Sequence, residues 1–200
     1  MKRDELNILA DKYYSVMDIS VEQKEKRKVD AWELFDLFML FFLWFDEAQN
    51  ANVQDYSFFL PEFQEKLQDA VGEMIDIDDF VVSYIVALSL GVFTTTTAHL
   101  DDKYYLSEDR AVNLALNESN SINNYDDLRK AKEHGYTHKK WIAQLDERTR
   151  PEHIEMDYTV IPIDRFFFFF YCRMLYPHDI VHGTPAQNAN CRCTLEFIKK

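Results

Sequence analysis

Most of the side chains suited to chemistry lie in the last third of the sequence. Asp146, Arg148 and Arg150 fall within five residues, so we expect an ion pair between Asp146 and Arg148, with Arg150 joining a polar network. His153 follows and could act as a general base, with Glu118 as its acid partner. A histidine beside an acid and two arginines is more often structural, and a helix carboxylate is more often a cap or a surface group. The residues therefore favour a network that fixes a loop, with acid–base catalysis as the alternative.

Cys191 and Cys193 form a Cys-x-Cys pair in a segment that alternates apolar and polar residues. This alternation predicts a half-buried strand in which both thiols face one side, about 6.6 Å apart along the chain. Side chains that stand parallel are badly aimed for a disulfide. With His153 and Cys172 they could build a structural zinc site, but an isolated Cys-x-Cys pair more often marks two small buried thiols. We therefore predict no metal and no cofactor.

The sequence lacks the motifs of several enzyme classes. It has only 4 glycines and no Gly-rich phosphate loop, and it shows no paired-carboxylate metal motif and no nucleophile elbow. Three cysteines cannot form a disulfide framework, and the chain opens with MKRDELN rather than an apolar signal sequence. We therefore expect a non-enzymatic protein that is made in a cytosol and holds reduced thiols.

The net charge of −13 is concentrated in one part of the chain. Residues 31–109 carry 16 acidic and 2 basic groups, whereas residues 110–150 carry 6 acidic and 8 basic groups. Because DNA binding depends on cations that neutralise phosphates, a DNA contact would have to use residues 24–28 or 129–150. Such runs are more often solvated surface. The acidic segment suits a basic protein partner or serves solubility alone.

Apolar periodicity predicts helices over the first hundred residues. Asp30-Ala-Trp-Glu33 has the spacing of a capping box, and an apolar run over residues 32–45 follows it. Pro61 suits the first turn of a second helix. The apolar face of that helix consists of Phe63, Leu67, Ala70, Val71 and Met74.

Residues 80–100 contain no charge over 21 positions, enough to cross a membrane by length alone. Serines, the threonine run at 94–97, His99 and acids on both flanks, with no basic anchor, favour a buried or interface helix instead. Gly91 and the threonine run are expected to end this helix or turn it toward a strand, because β-branched threonine is a poor helix former.

The pattern changes in the second half of the chain. Ser107 is a predicted N-cap for a fourth helix that runs toward Lys132, with Gly135 at its C-terminal cap. After Gly135 we expect strands at 140–143 and 160–163, a polar loop at 146–150 and a helical turn at 151–156. The fold class predicted is therefore α+β: a helical N-terminal region, residues 1–106, and a small C-terminal α+β module with a short antiparallel sheet, residues 107–200.

The aromatic content is high, with 16 Phe and 11 Tyr. Residues 37–45 and the five consecutive phenylalanines at 166–170 stand out, and five consecutive rings cannot all lie on one buried face of a strand. Either another element or a partner must cover some of them. We interpret the surplus as a sign of assembly partners, with a Phe-rich core as the equal alternative.

The C-terminal motifs resemble those of the Mu F-like phage head-morphogenesis family of minor capsid proteins. An Asp-x-Arg-Thr-Arg-x-x-His block is followed, 37 residues after its histidine, by Asn-Cys-Arg-Cys, and this combination is specific. The helix at 110–118 resembles a family helix that ends in Thr-Glu, with Asn117 in place of Thr. The resemblance covers about residues 107–198. The positions that we expect to form the family motif and its structural network are Glu118, Trp141, Asp146, Arg148, Arg150, His153, Asp157, Pro177, Asp179, Asn190, Cys191 and Cys193.

Four positions depart from the family pattern. Tyr158 and His178 stand where the family usually has glycine, and Gln187 and Asn188 replace acids. The loss of two glycines predicts altered turns at these positions.

The resemblance implies a non-enzymatic minor capsid protein of a tailed phage. It implies contact with the portal protein and with major capsid or scaffold protein, several copies in the virion, and a place in the capsid interior near the portal vertex. Packaged DNA is a further candidate partner, the host cytoplasm is the site of assembly, and no membrane is involved. The alternative is a toxin-like enzyme, nuclease or ADP-ribosyltransferase-like, that uses Glu118, Arg148 and His153. A third possibility is membrane association through residues 80–100.

Overall fold

A computed structural model of the chain describes residues 3–199. Helices dominate its first two thirds: α1 (Arg3–Tyr14), α2 (Val21–Asn50), α3 (Phe59–Met74), α4 (Asp79–Ala98) and α5 (Glu108–Glu133). The remainder contains β1 (His138–Ile142), α6 (Pro151–Met156), β2 (Val160–Pro162), β3 (Phe167–Phe168), β4 (Arg173–Met174), α7 (Pro185–Asn188) and β5 (Thr194–Ile198). Strands β2, β1 and β5 form an antiparallel sheet in that order, and β3 and β4 form a hairpin. The α+β prediction is confirmed, and the boundary at residue 107 remains a prediction.

Helix α2 begins ten residues before the predicted capping box. Ser20 accepts from the backbone N–H of Gln23, and the Gln23 side chain accepts in return from the Ser20 backbone, which makes a complete capping box there. Asp30 lies inside the helix, where its carboxylate accepts hydrogen bonds from Lys26 and Asn123. The prediction of a helix start at Asp30 was therefore wrong, because this carboxylate binds across to another helix rather than to its own backbone.

The phenylalanine rings of α2 and α3 are buried inside the molecule. Phe38, Phe41, Phe42 and Phe45 of α2 are fully buried, and Phe63 of α3 stacks on Phe41 with ring centroids 4.0 Å apart. Pro61 lies in the first turn of α3, and three residues of its predicted apolar face are buried: Phe63, Leu67 and Val71. For residues 37–45 the alternative of a Phe-rich core is therefore the correct one.

Helix α4 continues through the glycine and the threonines that were expected to end it. The hydroxyls of Thr94, Thr96 and Thr97 donate to carbonyls one turn earlier, so their polar groups are satisfied within the helix. Among the described residues, α4 is the one helix long and apolar enough to cross a membrane, and 39% of that window is buried inside the molecule. One face of α4 packs into the core, whereas the other carries exposed apolar residues.

The phenylalanines at 167–170 are alternately buried beside the sheet and exposed to solvent. Phe167 and Phe169 are buried against Trp141, with ring centroids 5.1 and 5.3 Å from its ring. Phe168 and Phe170 point outward and are 71% and 84% exposed. The prediction that one face could not take all five rings is confirmed.

Candidate functional site

The centre of α5 is polar and nevertheless buried. We call this set of side chains the polar spine: Asn117, Ser119, Asn120, Ser121, Asn123 and Asn124. Asn120 donates to the carbonyl of Cys191, at 3.2 Å. Asn124 donates to the carbonyls of Pro177 and Cys193, at 3.1 and 3.2 Å. The polar spine therefore holds the backbone of both C-terminal motif segments.

On its other side the polar spine binds a buried cation from α2. The Arg27 guanidinium donates to the side-chain oxygens of Asn120, Asn124 and Asp127, over 3.1 to 3.3 Å. The hydroxyl of Ser119 donates to the Arg27 carbonyl at 2.6 Å. Sequence reasoning missed this network. Its signal was a run of Asn and Ser inside a long helix, since these residues are poor helix formers unless their side chains find partners.

Asp146 does not pair with Arg148 as predicted. Both of its carboxylate oxygens accept from the guanidinium of Arg192, at 2.6 and 2.9 Å. These hydrogen bonds from Arg192 lower the pKa of Asp146 to about 2. Arg148 contributes its backbone N–H at 3.0 Å, and its side chain is exposed. An aspartate that accepts from the backbone N–H two residues later forms an Asx turn. Asp146 therefore binds the backbone of Arg148 rather than its guanidinium.

Arg150 joins a different contact from the predicted one. Its guanidinium donates to the carbonyl of Ala189, at 2.5 Å, and so links the 146–150 loop to the segment before Asn190. Asn190 itself accepts from the side-chain amide of Asn117, at 3.2 Å. The predicted polar loop is thus real, but its partners come from the end of the chain.

His153 lies with both cysteines of the Cys-x-Cys pair in a buried cluster. Its Nδ1 is 3.4 Å from the Cys193 sulfur and 3.7 Å from the Cys191 sulfur, and its Nε2 is 2.9 Å from Oε1 of Gln187. All three side chains are at most 2% exposed. The prediction of two buried thiols is confirmed. Their predicted parallel placement on a strand is wrong, because β5 begins at Thr194 and the irregular segment before it lets the thiols converge.

The two thiols of this cluster differ in acidity. A hydrogen bond from Cys191, and a further one from His153, hold the pKa of Cys193 below its usual value despite burial. The hydrogen bond with Cys193, together with burial, raises the pKa of Cys191. Cys193 is therefore the more acidic thiol of the pair.

Glu118 pairs with other residues than His153. The hydroxyl of Tyr84 donates to Glu118 at 2.6 Å, and Nε2 of His178 lies 3.3 Å from its second oxygen. Burial and the Glu118 charge raise the pKa of Tyr84. Glu118 and His178 line a cleft of about 380 Å³ beside α4. Arg148 and His153 line a different, small cavity, so the three residues of the predicted enzyme site are not assembled into one site.

Tyr158 and His178, which stand where the family usually has glycine, both have a backbone conformation that favours glycine. Tyr158 has a φ of 58° and His178 a φ of 69°, and a left-handed non-glycine residue costs about 1–2 kcal/mol. Both turns therefore use the left-handed conformation, and the prediction that they differ from the family's turns stays a prediction. The preceding acid of the first turn, Asp157, accepts from the backbone N–H of Ala143 at 2.8 Å and so ties this turn to the end of β1.

The second turn is organised by a buried acid. Asp179 accepts from the backbone N–H groups of Leu175, Val181 and His182. A Cβ at Gly183 would lie 2.6 Å from the Asp179 carbonyl, so this position requires glycine. Asn188, one of the two amides that replace acids, donates to the same carbonyl at 3.0 Å.

A buried lysine of β1, two residues before Trp141 in sequence, also binds this region. The amine of Lys139 donates to the carbonyl of Leu175 at 2.6 Å. Burial lowers the pKa of Lys139 to about 7. Sequence reasoning treated Lys139 only as part of a motif, because consecutive lysines at 139 and 140 are typical of an exposed surface.

Comparison with known proteins gives one result. The family model described as Phage Mu protein F like protein matches residues 68–196. The match starts inside α3 and includes all of α4 and α5, so it reaches further upstream than the motifs recognised in the sequence. No curated protein and no solved structure gives a match.

Proposed function

Because this chain belongs to the Phage Mu protein F like family, we propose that it is a minor capsid protein that acts in head morphogenesis of a tailed phage. The single observation that carries the proposal is the family match over residues 68–196, more than half of the chain. The separation of Glu118 from Arg148 and His153 supports a structural role rather than the enzymatic alternative.

The exposed face of α4 offers a surface for a protein partner. Val82, Val86 and Leu90 follow one another at intervals of four residues, and each is nearly half exposed. Four-residue spacing places them in a row along one face of the helix. In our proposal this row contacts the portal protein or the major capsid or scaffold protein, as part of an assembly region formed by residues 1–106.

The β3–β4 hairpin offers a second apolar surface. Phe168, Phe170 and Tyr171 project from it and are 71% to 84% exposed. Exposed rings in a group of this kind mark interaction sites more often than a single exposed apolar residue does. They would let the module of residues 107–200 contact a neighbouring chain.

The proposed location is the capsid interior near the portal vertex, with several copies in each virion and assembly in the host cytoplasm. Packaged DNA is a further partner in this proposal. Lys12, Arg148 and Arg150 line a groove of about 680 Å³ between α1, α5 and the C-terminal loop. Asp109 lines the same groove, but the cations outnumber it, and a cationic groove suits phosphates.

The test is co-expression of the chain with the portal, major capsid and scaffold proteins of its phage. We expect the chain to sediment with assembled heads, and we expect Val86→Glu to reduce this incorporation at least tenfold because a charge would be buried at the contact. Val29→Glu, at a 57% exposed position of α2 outside this row, is the matched control and should incorporate normally.

The proposal fails if the wild-type chain stays out of the heads. Equal incorporation of both variants would remove α4 from the interface. Flotation of the purified chain with liposomes would favour the membrane alternative, in which α4 inserts into the bilayer instead.

A further inference from the structure

We propose that His153, Cys191 and Cys193 form a mononuclear zinc site, with a water molecule as the fourth ligand. Among the residues that the structure describes, they are the group whose histidine and cysteine donor atoms converge, all within 4.8 Å of one another. Two thiolates and an imidazole are ligands that Zn²⁺ prefers. This inference is independent of the proposed role in the phage head.

The spacing of the donors fits tetrahedral coordination. Zinc–sulfur and zinc–nitrogen bonds of about 2.3 and 2.0–2.1 Å, at a tetrahedral angle, place a sulfur and a nitrogen roughly 3.5–3.6 Å apart. The observed distances from Nδ1 of His153 to the two sulfurs are 3.4 and 3.7 Å. Both nitrogen–sulfur distances therefore match tetrahedral coordination to within about 0.2 Å.

The surroundings of His153 orient it as a ligand. Its Nε2 lies 2.9 Å from the side-chain oxygen of Gln187, and its Nδ1 faces both sulfurs. The rings of Trp141 and Phe169 pack against the imidazole, with centroids 5.5 and 5.3 Å away. These contacts orient the imidazole ring with Nδ1 toward both sulfurs, as similar contacts orient metal-bound histidines.

The water ligand would occupy a small cavity that all three donor residues line. The other residues that line it are polar or cationic: Gln144, Arg148, Thr149, Arg150, Asn190 and Arg192. Cysteine binds zinc as the thiolate, so binding would release thiol protons, and two thiolates would neutralise the charge of Zn²⁺. The three arginines that line the cavity would therefore oppose the ion little. The water-ligated ion would join α6 to the segment before β5, about forty residues later in the chain.

The alternative is a chain of hydrogen bonds from Cys191 to Cys193 to His153 without a metal. Spacing in the sequence could not distinguish the two, because an isolated Cys-x-Cys pair fits both. The convergence of three buried donors on one point is what favours zinc.

The experiment uses the full-length chain, purified under reducing conditions from zinc-supplemented cells. We expect one zinc per chain by elemental analysis, and a fall in melting temperature when a strong chelator removes it. Co²⁺ added to the metal-free chain should give the intense near-ultraviolet absorption of thiolate-to-cobalt charge transfer. Cys193→Ser removes one of the two thiolates, so it should bind the ion at least tenfold more weakly and give a weaker absorption for each bound cobalt ion.

Cys172→Ser is the matched control, because Cys172 is a free cysteine outside the cluster. It should keep both the zinc and the cobalt spectrum. Absence of zinc and of the cobalt absorption in the wild-type chain would overturn the proposal, and so would a Cys193→Ser variant with the cobalt affinity and absorption of the wild type. The wild-type measurements decide the question even if Cys193→Ser does not fold.

Discussion

Helix α2 makes two kinds of buried contact: apolar packing through its phenylalanines and polar hydrogen bonds through Arg27. One region, which we call the ring core, consists of phenylalanines of α2 and α3 that pack with centroids as close as 4.0 Å. The other is the contact of Arg27 with the polar spine, where each oxygen and nitrogen has a specific partner. Apolar packing depends mainly on volume, whereas a buried polar group loses free energy unless its one partner is present. The second region should therefore be the less tolerant of substitution, although both are equally buried.

The largest effect is expected for Arg27→Met. The substitution keeps most of the apolar volume but leaves the side-chain oxygens of Asn120 and Asn124 without their donor, and Asp127 without its cation. We expect the free energy of unfolding to fall by about 3 kcal/mol, measured by urea denaturation. Lys24→Met, at a partly exposed position one turn earlier, should change it by less than about 0.5 kcal/mol. A loss below 1 kcal/mol for Arg27→Met would mean that the polar contact tolerates change as the ring core does.

A pair of size-matched substitutions tests the comparison directly. Asn124→Leu leaves the carbonyls of Pro177 and Cys193 without a donor, and should lower the unfolding free energy by about 2 kcal/mol. Leu34→Met, at a fully buried position of α2, should cost less than about 1.5 kcal/mol. The same urea titrations measure both. If the leucine variant were as stable as the methionine variant, the distinction between the two regions would be wrong.

The smallest of the three effects is expected at the partly exposed pair of Asp146 and Arg192. The pKa of Asp146 is lowered from 3.8 to about 2 in the folded state, so its carboxylate stabilises the fold above pH 4. That stabilisation is lost as the pH falls through the window from about 4 to about 2. Asp146→Asn should therefore cost about 1 kcal/mol at pH 7, and should flatten the pH dependence of stability in that window.

Asp164→Asn is the control for this pair, since Asp164 is 78% exposed and binds Lys132 at the surface. It should leave both the stability and its pH dependence almost unchanged, as thermal melts from pH 2 to pH 7 would show. A pH profile of Asp146→Asn that matched the wild type would mean that the bidentate pair contributes nothing.

Local elements were largely predictable from the residues. Ser107 caps α5 as expected, because its hydroxyl accepts from the N–H of Arg110, and Gly135 follows that helix with a φ of 75°. The helical turn Pro151–Met156 and the strand β1 also lie where proline placement and periodicity put them. The start of α2 was missed because both Ser20–Gln23 and Asp30–Glu33 have capping-box spacing. The end of α4 was missed because the threonine hydroxyls donate to carbonyls within the helix.

The sequence by itself determined the α+β class, the positions of most helices and the family of this protein, because caps, periodicity and motif spacing act over a few residues. Only the tertiary structure decided the partners: Arg192 for Asp146, His178 for Glu118, and both cysteines for His153. Those partners lie 38 to 60 positions apart in the chain. Which of several arginines or histidines meets a given acid depends on how the polar spine holds distant segments, and no local pattern of residues contains that information.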